Sequence, residues 1–260
     1  MTGPLPEAAF EHVRDHAWLL ANDLLVAEGR HVATRLIQSH RFQSVGLMVT
    51  PTAQAAMADA IDRVEPGRRP PVFVRTQAEL DAITGFRLHQ GCVALGERPV
   101  IPTELALATG GPIVALERVR DPDNVGSIIR TTAALGGAGV LLGPGCADPF
   151  YRKAVRTSMG SVFTLPLAVA PALPDALHRL KALGRVIVAL TPDGRDVLAS
   201  ARTAAGGRPV VLLLGSEGEG LTPDARALAD FEANIPMASM ADSLNVAVAA
   251  AVALYAWRTD

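Results

Sequence analysis

The chain has 260 residues, of which 49% are hydrophobic and 19% are charged, and its formal net charge at pH 7 is −2. A chain of this length and hydrophobicity can bury one or two substantial cores, which excludes a disordered protein. Because the opposite charges are interspersed and nearly balanced, any nucleic-acid partner must be bound by a local basic patch, since the field of the whole protein is not positive.

The first hundred residues alternate between helical and extended patterns. Apolar residues at helical spacing predict helices, and short apolar or β-branched runs predict strands. In chain order the predicted elements are a helix at 28–40, a strand at 42–50, a helix at 52–62, a strand at 71–76, a helix at 77–84 and a strand at 91–97. We therefore predict a small α/β domain at the start of the chain, followed by a linker at 97–112 with three prolines and two adjacent glycines. The predicted domain boundary lies within this linker, so the first domain with its part of the linker covers residues 1–106.

Residues 107–260 alternate again and form the second predicted domain. The predicted strands lie at 112–119, 139–145, 161–170, 185–194, 208–221 and 231–238. The predicted helices lie at 124–136, 151–160, 174–184 and 222–230, with a last helix from Ser243, and 195–207 is predicted to be a loop. Apolar strands separated by helices of about ten residues predict a parallel sheet that is covered on both faces.

Three polar segments follow strands of this sheet, where ligands of parallel sheets bind. They are DPDNVGSIIR at 121–130, LGSEGEGL at 214–221 and IPMASMADSLN at 235–245. No Gly-Lys-Ser/Thr occurs, and the first strand continues without Gly-x-Gly-x-x-Gly, so the sequence lacks both common nucleotide-binding loops. Glu217 and Glu219 would repel a pyrophosphate, which argues against a phosphate-binding role for the second segment.

The cysteines and the hydropathy pattern bear on the cellular location of the protein. Cys92 and Cys146 are far apart and match no metal-ligand spacing, which predicts a reducing environment without zinc or disulfides. The N-terminus has no signal-peptide pattern, and the longest apolar stretch, 244–257, is shorter than the roughly 20 residues of a membrane span. We expect a cytoplasmic protein that does not contact membranes.

Together, LERVRDPDNVGSIIRTTAALG, LLLGSEGEGL and IPMASMADSLNVAVAAAVALY, in this order and near the C-terminus, resemble the three signature motifs of the SpoU (TrmH-type) RNA 2′-O-ribose methyltransferases. The resemblance covers about residues 112–260. The end of the first domain, ITGFRLHQGCVALGERP, is similar to the small ribosomal-protein-like RNA-binding domain of family members that act on ribosomal RNA. One departure is Glu117, where the family more often has Asp.

This resemblance implies an α/β SPOUT domain with a deep trefoil knot, S-adenosylmethionine as cofactor, no metal, and a homodimer with its sites at the interface. It implies an RNA partner, with ribosomal RNA favoured over transfer RNA and guanosine favoured as the methylated nucleotide, while adenosine or a pyrimidine stays open. Carried over by motif, the catalytic residues would be Asn124, Arg130, Glu217, Ser243 and Asn245. The cofactor-binding residues would be Gly215, Ile235 and Leu244.

Several of these residues also have a purely structural interpretation. Asn124 precedes a helix and would serve as its N-cap, as would Ser243 before the last helix. Asn245, inside the first turn of that predicted helix, has a weaker structural reason to be there. Glu217 could be a solvated loop carboxylate, but its flanking glycines allow close approach of a ligand.

One single arginine and one short basic run are candidates for contacting RNA. Arg130 lies roughly 150° from the centre of its helix's apolar stripe, so it points away from its own core. It would stabilise a 2′-alkoxide or hold a phosphate that takes the proton. Arg152, Lys153 and Arg156 form a short basic run that either binds RNA phosphates or is a plain exposed helix face.

Other classes of function remain as alternatives. A non-catalytic RNA-binding or ribosome-assembly protein could retain the methyltransferase fold, although polar residues are intact in all three motifs. A transfer-RNA 2′-O-methyltransferase is a second alternative, and a dinucleotide-dependent oxidoreductase, which lacks the glycine fingerprint, is a distant third.

Overall fold

The computed structural model of the chain describes residues 7–103, 107, 110–238 and 243–258. The chain divides into two compact units, one of Met1–Val100 with Pro149–Thr164 and one of Ile101–Asp148 with Leu165–Asp260. The segment 149–164, which the sequence analysis assigns to the second domain, therefore belongs by its contacts to the first unit. The domain division at residue 106 stays a prediction.

The secondary structure of the described residues alternates between helices and strands. The helices are α1 (His16–Ala21), α2 (Arg30–Ile37), α3 (Pro51–Asp62), α4 (Gln77–Thr84), α5 (Pro122–Ala134), α6 (Arg152–Thr157), α7 (Leu173–Ala182), α8 (Leu198–Ala205), α9 (Pro223–Ala227) and α10 (Val246–Trp257). The strands are β1 (Leu24–Glu28), β2 (Ser44–Val49), β3 (Val72–Val74), β4 (Cys92–Glu97), β5 (Ile113–Glu117), β6 (Gly139–Leu142), β7 (Leu167–Val169), β8 (Val186–Leu190), β9 (Asp196–Val197), β10 (Val210–Gly215) and β11 (Phe231–Asn234). Short 3₁₀ turns lie at Glu7–His12, Pro66–Arg68, His89–Gly91 and Ser161–Phe163.

The first unit is built on a four-stranded sheet in the order β1-β4-β2-β3. β4 runs antiparallel to β1 and β2, whereas β2 and β3 are parallel. One apolar cluster joins Phe10, Val26, Met48, Leu80 and Val93 with further buried residues of the N-terminal turn and strands. Helices α2 and α3 pack against each other and against strands of the same sheet. The sequence analysis missed α1 and β1 because elements of five or six residues are too short to show a period.

The segment 149–164 is held in the first unit by aromatic and polar contacts. The rings of Phe150 and Phe163 lie edge-on to the ring of Phe42, with centroids 5.6 and 5.1 Å away. Arg35 Nη1 donates a hydrogen bond to Ser161 Oγ at 3.0 Å, and Arg152 forms an ion pair with Glu28. The predicted strand at 161–170 is shortened to Leu167–Val169, because Gly160 adopts a φ of +76° and a 3₁₀ turn follows it.

This packing changes what is expected of a fragment that spans residues 107–260. The sequence predicts that such a fragment folds alone, but it lacks the partners that bury Phe150, Val155 and Phe163. Burial of one large apolar side chain contributes about 1.5–3 kcal/mol to the free energy of unfolding, and the fragment loses this contribution at each exposed residue. We therefore expect the fragment to bind a hydrophobic dye and to elute as aggregates in size-exclusion chromatography. The substitutions Phe150→Ser and Phe163→Ser should make the fragment monodisperse. Equal solubility of the fragment with and without these substitutions would contradict the contacts described.

The second unit is a seven-stranded parallel sheet in the order β7-β6-β5-β10-β8-β11-β9. Alternate residues of each strand face opposite sides. On one side, α7 and α9 pack on Ile113, Ala115, Leu141 and Leu213 within a single buried cluster. α10 packs against α5, α8 and β10, which covers the sheet on both faces. None of the helices in the described ranges is long and apolar enough to span a bilayer.

The strand order creates a switch point between β5 and β10. The chain leaves β5 toward β6 and β7, and later enters β10 between β5 and β8. The carboxyl ends of β5 and β10, at Glu117 and Gly215, are paired in register. Ligands in open parallel sheets bind at such a point, so the loops after these two strands are where a site is expected. The trefoil knot stays a prediction from the family resemblance.

Candidate functional site

The loops after β5 and β10 are tied together by a buried carboxylate. Glu117, which is 5% exposed, accepts hydrogen bonds from the Thr222 backbone amide at 2.7 Å and from the Thr222 hydroxyl at 2.8 Å. Thr222 is itself the N-cap of α9. The glutamate that departs from the family pattern therefore has a structural role, because it fixes where the loop after β10 returns to the sheet.

Three motif residues converge on one carboxylate oxygen. Oε1 of Glu217 accepts hydrogen bonds from Asn245 Nδ2 at 2.6 Å, Asn124 Nδ2 at 3.2 Å and the Val246 amide at 3.4 Å. Asn245 Nδ2 also donates to Asn124 Oδ1 at 3.0 Å. We call Asn124, Glu217 and Asn245 the polar cluster. It joins all three sequence motifs, so residues more than ninety positions apart form one hydrogen-bonded unit.

The helix caps differ from those expected. Asp121, not Asn124, is the N-cap of α5, since its side chain accepts from the Asp123 amide. Asn245, not Ser243, is the N-cap of α10, and its Oδ1 accepts from the Ala247 and Val248 amides. The cap predictions for Asn124 and Ser243 are wrong, and the last helix begins at Val246. Asn124 is consequently free of a capping role and lies 8% exposed in the first turn of α5.

The two glutamates of the loop after β10 differ in their surroundings. Arg118 Nη1 donates to Glu219 Oε2 at 2.8 Å, and Arg120 lies 3.8 Å from the same oxygen. Glu219 is thus neutralised by arginines, whereas no ion pair involves Glu217 within the described residues. Gly215 is required at the start of this loop, because a Cβ there would lie 2.3 Å from the Gly220 carbonyl carbon.

A cavity of about 360 Å³ lies at the carboxyl ends of β8, β10 and β11. The three residues predicted to bind the cofactor, Gly215, Ile235 and Leu244, all line it, as do Glu217 and Ser243. Asn124 and Asn245 do not line it, but they reach its edge through Glu217. Its volume falls within the range of about 300–1,000 Å³ that is usual for small-ligand sites.

Arg130 does not line the cavity of its own chain. It is exposed on α5 and forms no hydrogen bond or ion pair with any residue of the described ranges. The structure therefore brings together Asn124, Glu217 and Asn245 but not Arg130. Its exposure agrees with the helical-wheel position expected from the sequence.

The loop after β8 supplies site residues that the sequence analysis did not single out. Thr191 lines the cavity, is 9% exposed, and its hydroxyl has no partner of acceptable geometry among the described residues. Asp193 also lines the cavity. The signal was available, because TPDG at 191–194 forms the end of a predicted strand, and the rule that placed the other three segments at strand ends applies equally here.

One wall of the cavity carries an arginine held between two carboxylates. Arg226 Nη2 donates to Glu232 at 2.7 Å and to Asp193 at 2.9 Å. These hydrogen bonds lower the pKa of Asp193 and of Glu232 below their ordinary values and raise the pKa of Arg226. Asp193 and Arg226 line the cavity as an ion pair, whereas Glu232 lies outside the lining and also interacts with Arg195.

The basic run at 152–156 belongs to the first unit. Arg152 pairs with Glu28 and lies over the ring of Phe86 at 4.8 Å, while Lys153 and Arg156 are exposed on α6. Within residues 7–103, 107, 110–238 and 243–258, no group of three or more His, Cys, Asp or Glu side chains could hold a metal ion.

Comparison with known proteins assigns the chain to a family. The family model described as the SpoU rRNA Methylase family matches residues 111–255, and the chain belongs to that family. An uncharacterised tRNA/rRNA methyltransferase of Mycobacterium tuberculosis is 39% identical over 235 residues, which cover 89% of this chain and 80% of the relative. The protein is thus an RNA methyltransferase of the SpoU family.

Solved structures share the fold over nearly the whole chain. The AdoMet-bound rRNA methyltransferase of Sinorhizobium meliloti superposes with a TM-score of 0.79 at 28% identity, covering 96% of this chain and 93% of that one. A structure described as an RNA 2′-O ribose methyltransferase superposes with a TM-score of 0.74 at 25% identity, covering 96% and 94%. The predicted α/β fold class with a parallel-sheet SPOUT domain is confirmed.

Replacing Asn245 by aspartate separates its two roles. Asp retains the oxygens that cap α10, but it sets a second carboxylate against Glu217 in place of the Nδ2 donor. We expect Asn245→Asp to melt close to the wild-type temperature and to transfer methyl groups about 100-fold more slowly, as a displaced site group does. Asn245→Ser, which caps without adding charge, should lose less. Full transfer by Asn245→Asp, measured with radiolabelled cofactor, would show that the cluster does not position the reaction.

Proposed function

We propose that the protein transfers a methyl group from S-adenosylmethionine to a ribose 2′-hydroxyl of ribosomal RNA, with guanosine as the favoured nucleotide. The observation that carries this proposal is the convergence of Asn124, Asn245 and the Val246 amide on Glu217 Oε1 beside the cavity. The descriptions of the two solved relatives, one AdoMet-bound and one a 2′-O ribose methyltransferase, support the cofactor and the acceptor atom.

The cavity fits S-adenosylmethionine in size and in chemistry. Leucine, isoleucine and valine side chains and the backbone near Gly215 offer apolar walls for an adenosine. The Thr191 hydroxyl and the Asp193 carboxylate, which both line the cavity, offer polar contacts for its hydroxyl, ammonium or sulfonium groups. In this proposal Gly215, Ile235 and Leu244 hold the cofactor, which supplies an electrophilic methyl group when bound.

The polar cluster then orients the acceptor ribose. Oε1 of Glu217 is occupied by donors from this chain, while Oε2 accepts no hydrogen bond among the described residues. Oε2 can accept from a ribose hydroxyl or from the N–H groups of guanine, which supports guanosine as the favoured nucleotide. Because Glu217 is held by two side-chain amides and one backbone amide, it is oriented before the substrate arrives.

Arg130 completes the site in a homodimer under this proposal. Val248, Val252 and Tyr255 are 48%, 39% and 59% exposed and share one face of α10, as i, i+4 and i+7 positions do. An exposed apolar stripe of this kind favours association of two copies. Arg130, on α5 beside α10, would reach the partner's site and either stabilise the 2′-alkoxide or hold a phosphate that takes the proton. It does not act as a free base, because a guanidinium cation has donors but no lone pair that could accept a proton.

A direct assay tests the proposal. Ribosomal RNA and transfer RNA from a strain that lacks the gene are each incubated with the protein and radiolabelled S-adenosylmethionine. We expect label in ribosomal RNA, resistant to alkaline cleavage at the modified position, because a methylated 2′-oxygen cannot attack the phosphate. Label in transfer RNA alone would show that transfer RNA, and not ribosomal RNA, is the substrate. If calorimetry shows that S-adenosylmethionine binds but no methyl group is transferred, a non-catalytic RNA-binding protein is favoured.

The transfer is proposed to need no metal. A sulfonium methyl group is already activated, so orientation and charge stabilisation by side chains suffice. We expect the rate to be unchanged by EDTA when the RNA is kept folded with monovalent salt. Loss of transfer that added metal restores, at unchanged RNA folding, would contradict the metal-free part of the proposal. The two free cysteines are compatible with the cytoplasmic location that we propose.

A further inference from the structure

The first unit contains a small cavity that the methyl-transfer proposal does not use. It measures about 210 Å³ and lies between the N-terminal turns, the edge strand β1 and the start of α6. Its floor is made of valine and leucine side chains, and its walls include Arg14, His16, Arg98, Tyr151 and Arg152. At ~30 Å³ per water molecule it holds about seven waters. The cavity is thus large enough for a flat ring or a phosphate but too small for a whole cofactor.

The walls of this cavity are positively charged. They include three arginines and no acidic residue. Arg152 is paired with Glu28. Arg14 is exposed, donates through Nη1 to the Gly85 carbonyl at 2.8 Å, and forms no ion pair with any carboxylate in the described ranges. An anion that enters the cavity would therefore meet at least one uncompensated guanidinium, the group best suited to a phosphate.

Aromatic rings stand beside this charge. The rings of His16 and Tyr151 meet edge-to-face with centroids 4.7 Å apart and planes at 77°. Tyr151 is half-buried and caps α6 without using its side chain. A half-buried aromatic pair beside an arginine is suited to a planar ligand that carries a negative charge.

We propose that this cavity binds an unpaired nucleotide of the RNA substrate, with Arg14 contacting its phosphate and the Tyr151 and His16 rings contacting its base. Sequence-tolerant recognition of single-stranded RNA uses this combination of arginine and aromatic side chains. A paired base would first have to be unpaired and unstacked from its duplex, which disfavours duplex RNA as the ligand. The inference rests on the proposed function in one respect, namely that the substrate is RNA. It assigns the first unit a specific contact outside the methyl-transfer site.

Fluorescence anisotropy with a short labelled single-stranded RNA of mixed sequence tests the proposal. Tyr151→Ala should weaken binding about 5- to 150-fold, the range that loss of one stacked base gives. Arg14→Gln should weaken binding and reduce the slope of log affinity against log salt by about 0.7, as loss of one phosphate contact does for a single strand. The same RNA annealed to its complement should be insensitive to both substitutions.

Two matched variants serve as controls. Arg63→Gln removes an exposed arginine of the same unit, away from the cavity, and should leave RNA binding and its salt slope as in the unchanged protein. Tyr151→Phe keeps the ring and should bind RNA almost as the unchanged protein does. If Tyr151→Ala and Arg14→Gln bind as tightly as Arg63→Gln does, the cavity is not a nucleotide site.

This outcome is distinct from failure of the proposed function, because binding is measured without methyl transfer. RNA that binds the unchanged protein and all variants equally overturns the cavity alone, while RNA that binds but is never methylated overturns the enzyme proposal alone. Photocrosslinking of a 4-thiouridine RNA gives a second readout if Tyr151→Ala melts at a lower temperature. A crosslinked peptide that contains Tyr151 supports the proposal, and crosslinks confined to other peptides contradict it.

Discussion

Glu217→Ala should lower the rate of methyl transfer about 100-fold while leaving the affinity for S-adenosylmethionine nearly unchanged. The substitution removes the oxygen on which Asn124, Asn245 and the Val246 amide converge. The two amide side chains then lose their common orientation, and a displacement of about 1 Å in a site costs on the order of 100-fold in rate. The loop is exposed at Glu217, so water replaces the carboxylate and the folded protein is little destabilised.

Glu219→Ala is the matched control for this prediction. It removes a carboxylate from the same loop two residues further on, but that carboxylate contacts Arg118 and Arg120 and not the polar cluster. We expect its transfer rate to stay within a few-fold of wild type. Equal losses in both variants would show that the charge of the loop matters and the cluster does not. Separate measurements of kcat, KM and cofactor affinity assign the loss in Glu217→Ala to the chemical step.

If the protein is the homodimer proposed above, a mixture of the Arg130→Ala and Glu217→Ala proteins should regain about a quarter of wild-type activity after subunit exchange. Each homodimer alone has two incomplete sites. If Arg130 acts in the partner's site, half of the exchanged dimers are heterodimers, in which one site carries both defects and the other carries none. Glu217 is preferred to Asn245 as the second substitution, because Asn245 also caps α10 and its loss costs about 1 kcal/mol of stability.

In a second mixture, activity is higher if Arg130 acts in its own chain than if it acts in the partner's site, which is the reverse of the first mixture. A chain with both substitutions, exchanged with an equal amount of wild type, yields heterodimers whose two sites each carry one defect if Arg130 acts in trans. Activity should then be about a quarter of wild type, and about a half if Arg130 acts in its own chain. Size-exclusion and mass measurements confirm exchange. No recovery in the first mixture and half activity in the second would place Arg130 in the site of its own subunit.

The parallel sheet could be predicted because its strands and helices can each be recognised from a short stretch of sequence. Strands that are buried on both faces are continuous apolar runs such as VVLLL at 210–214, and amphipathic helices separate them. Shorter or less periodic elements were missed. α8 lies in an alanine-, arginine- and threonine-rich stretch that was predicted to be a loop, and Leu198, Ala201 and Ala205 become buried only through tertiary packing.

The candidate site was predictable in composition but not in contacts. Polar residues after the strands could be found because strand ends meet at one edge. The choice of N-cap depends on backbone angles at the helix boundary, which pattern reading places only to within a few residues. The cap of α5 is therefore Asp121 and not Asn124, and the cap of α10 is Asn245 and not Ser243. The convergence on Glu217 Oε1 requires the strand order, which brings β5 and β10 side by side.

Nucleoside analysis of treated RNA tests the central claim most directly. Ribosomal RNA from a strain that lacks the gene is incubated with S-adenosylmethionine and either wild-type protein or Glu217→Ala, digested to nucleosides, and separated by liquid chromatography and mass spectrometry. The account predicts one 2′-O-methylated nucleoside, guanosine, that accumulates with wild-type protein and almost not at all with Glu217→Ala. A methyl group on a base, or equal 2′-O-methylation by both proteins, would contradict it.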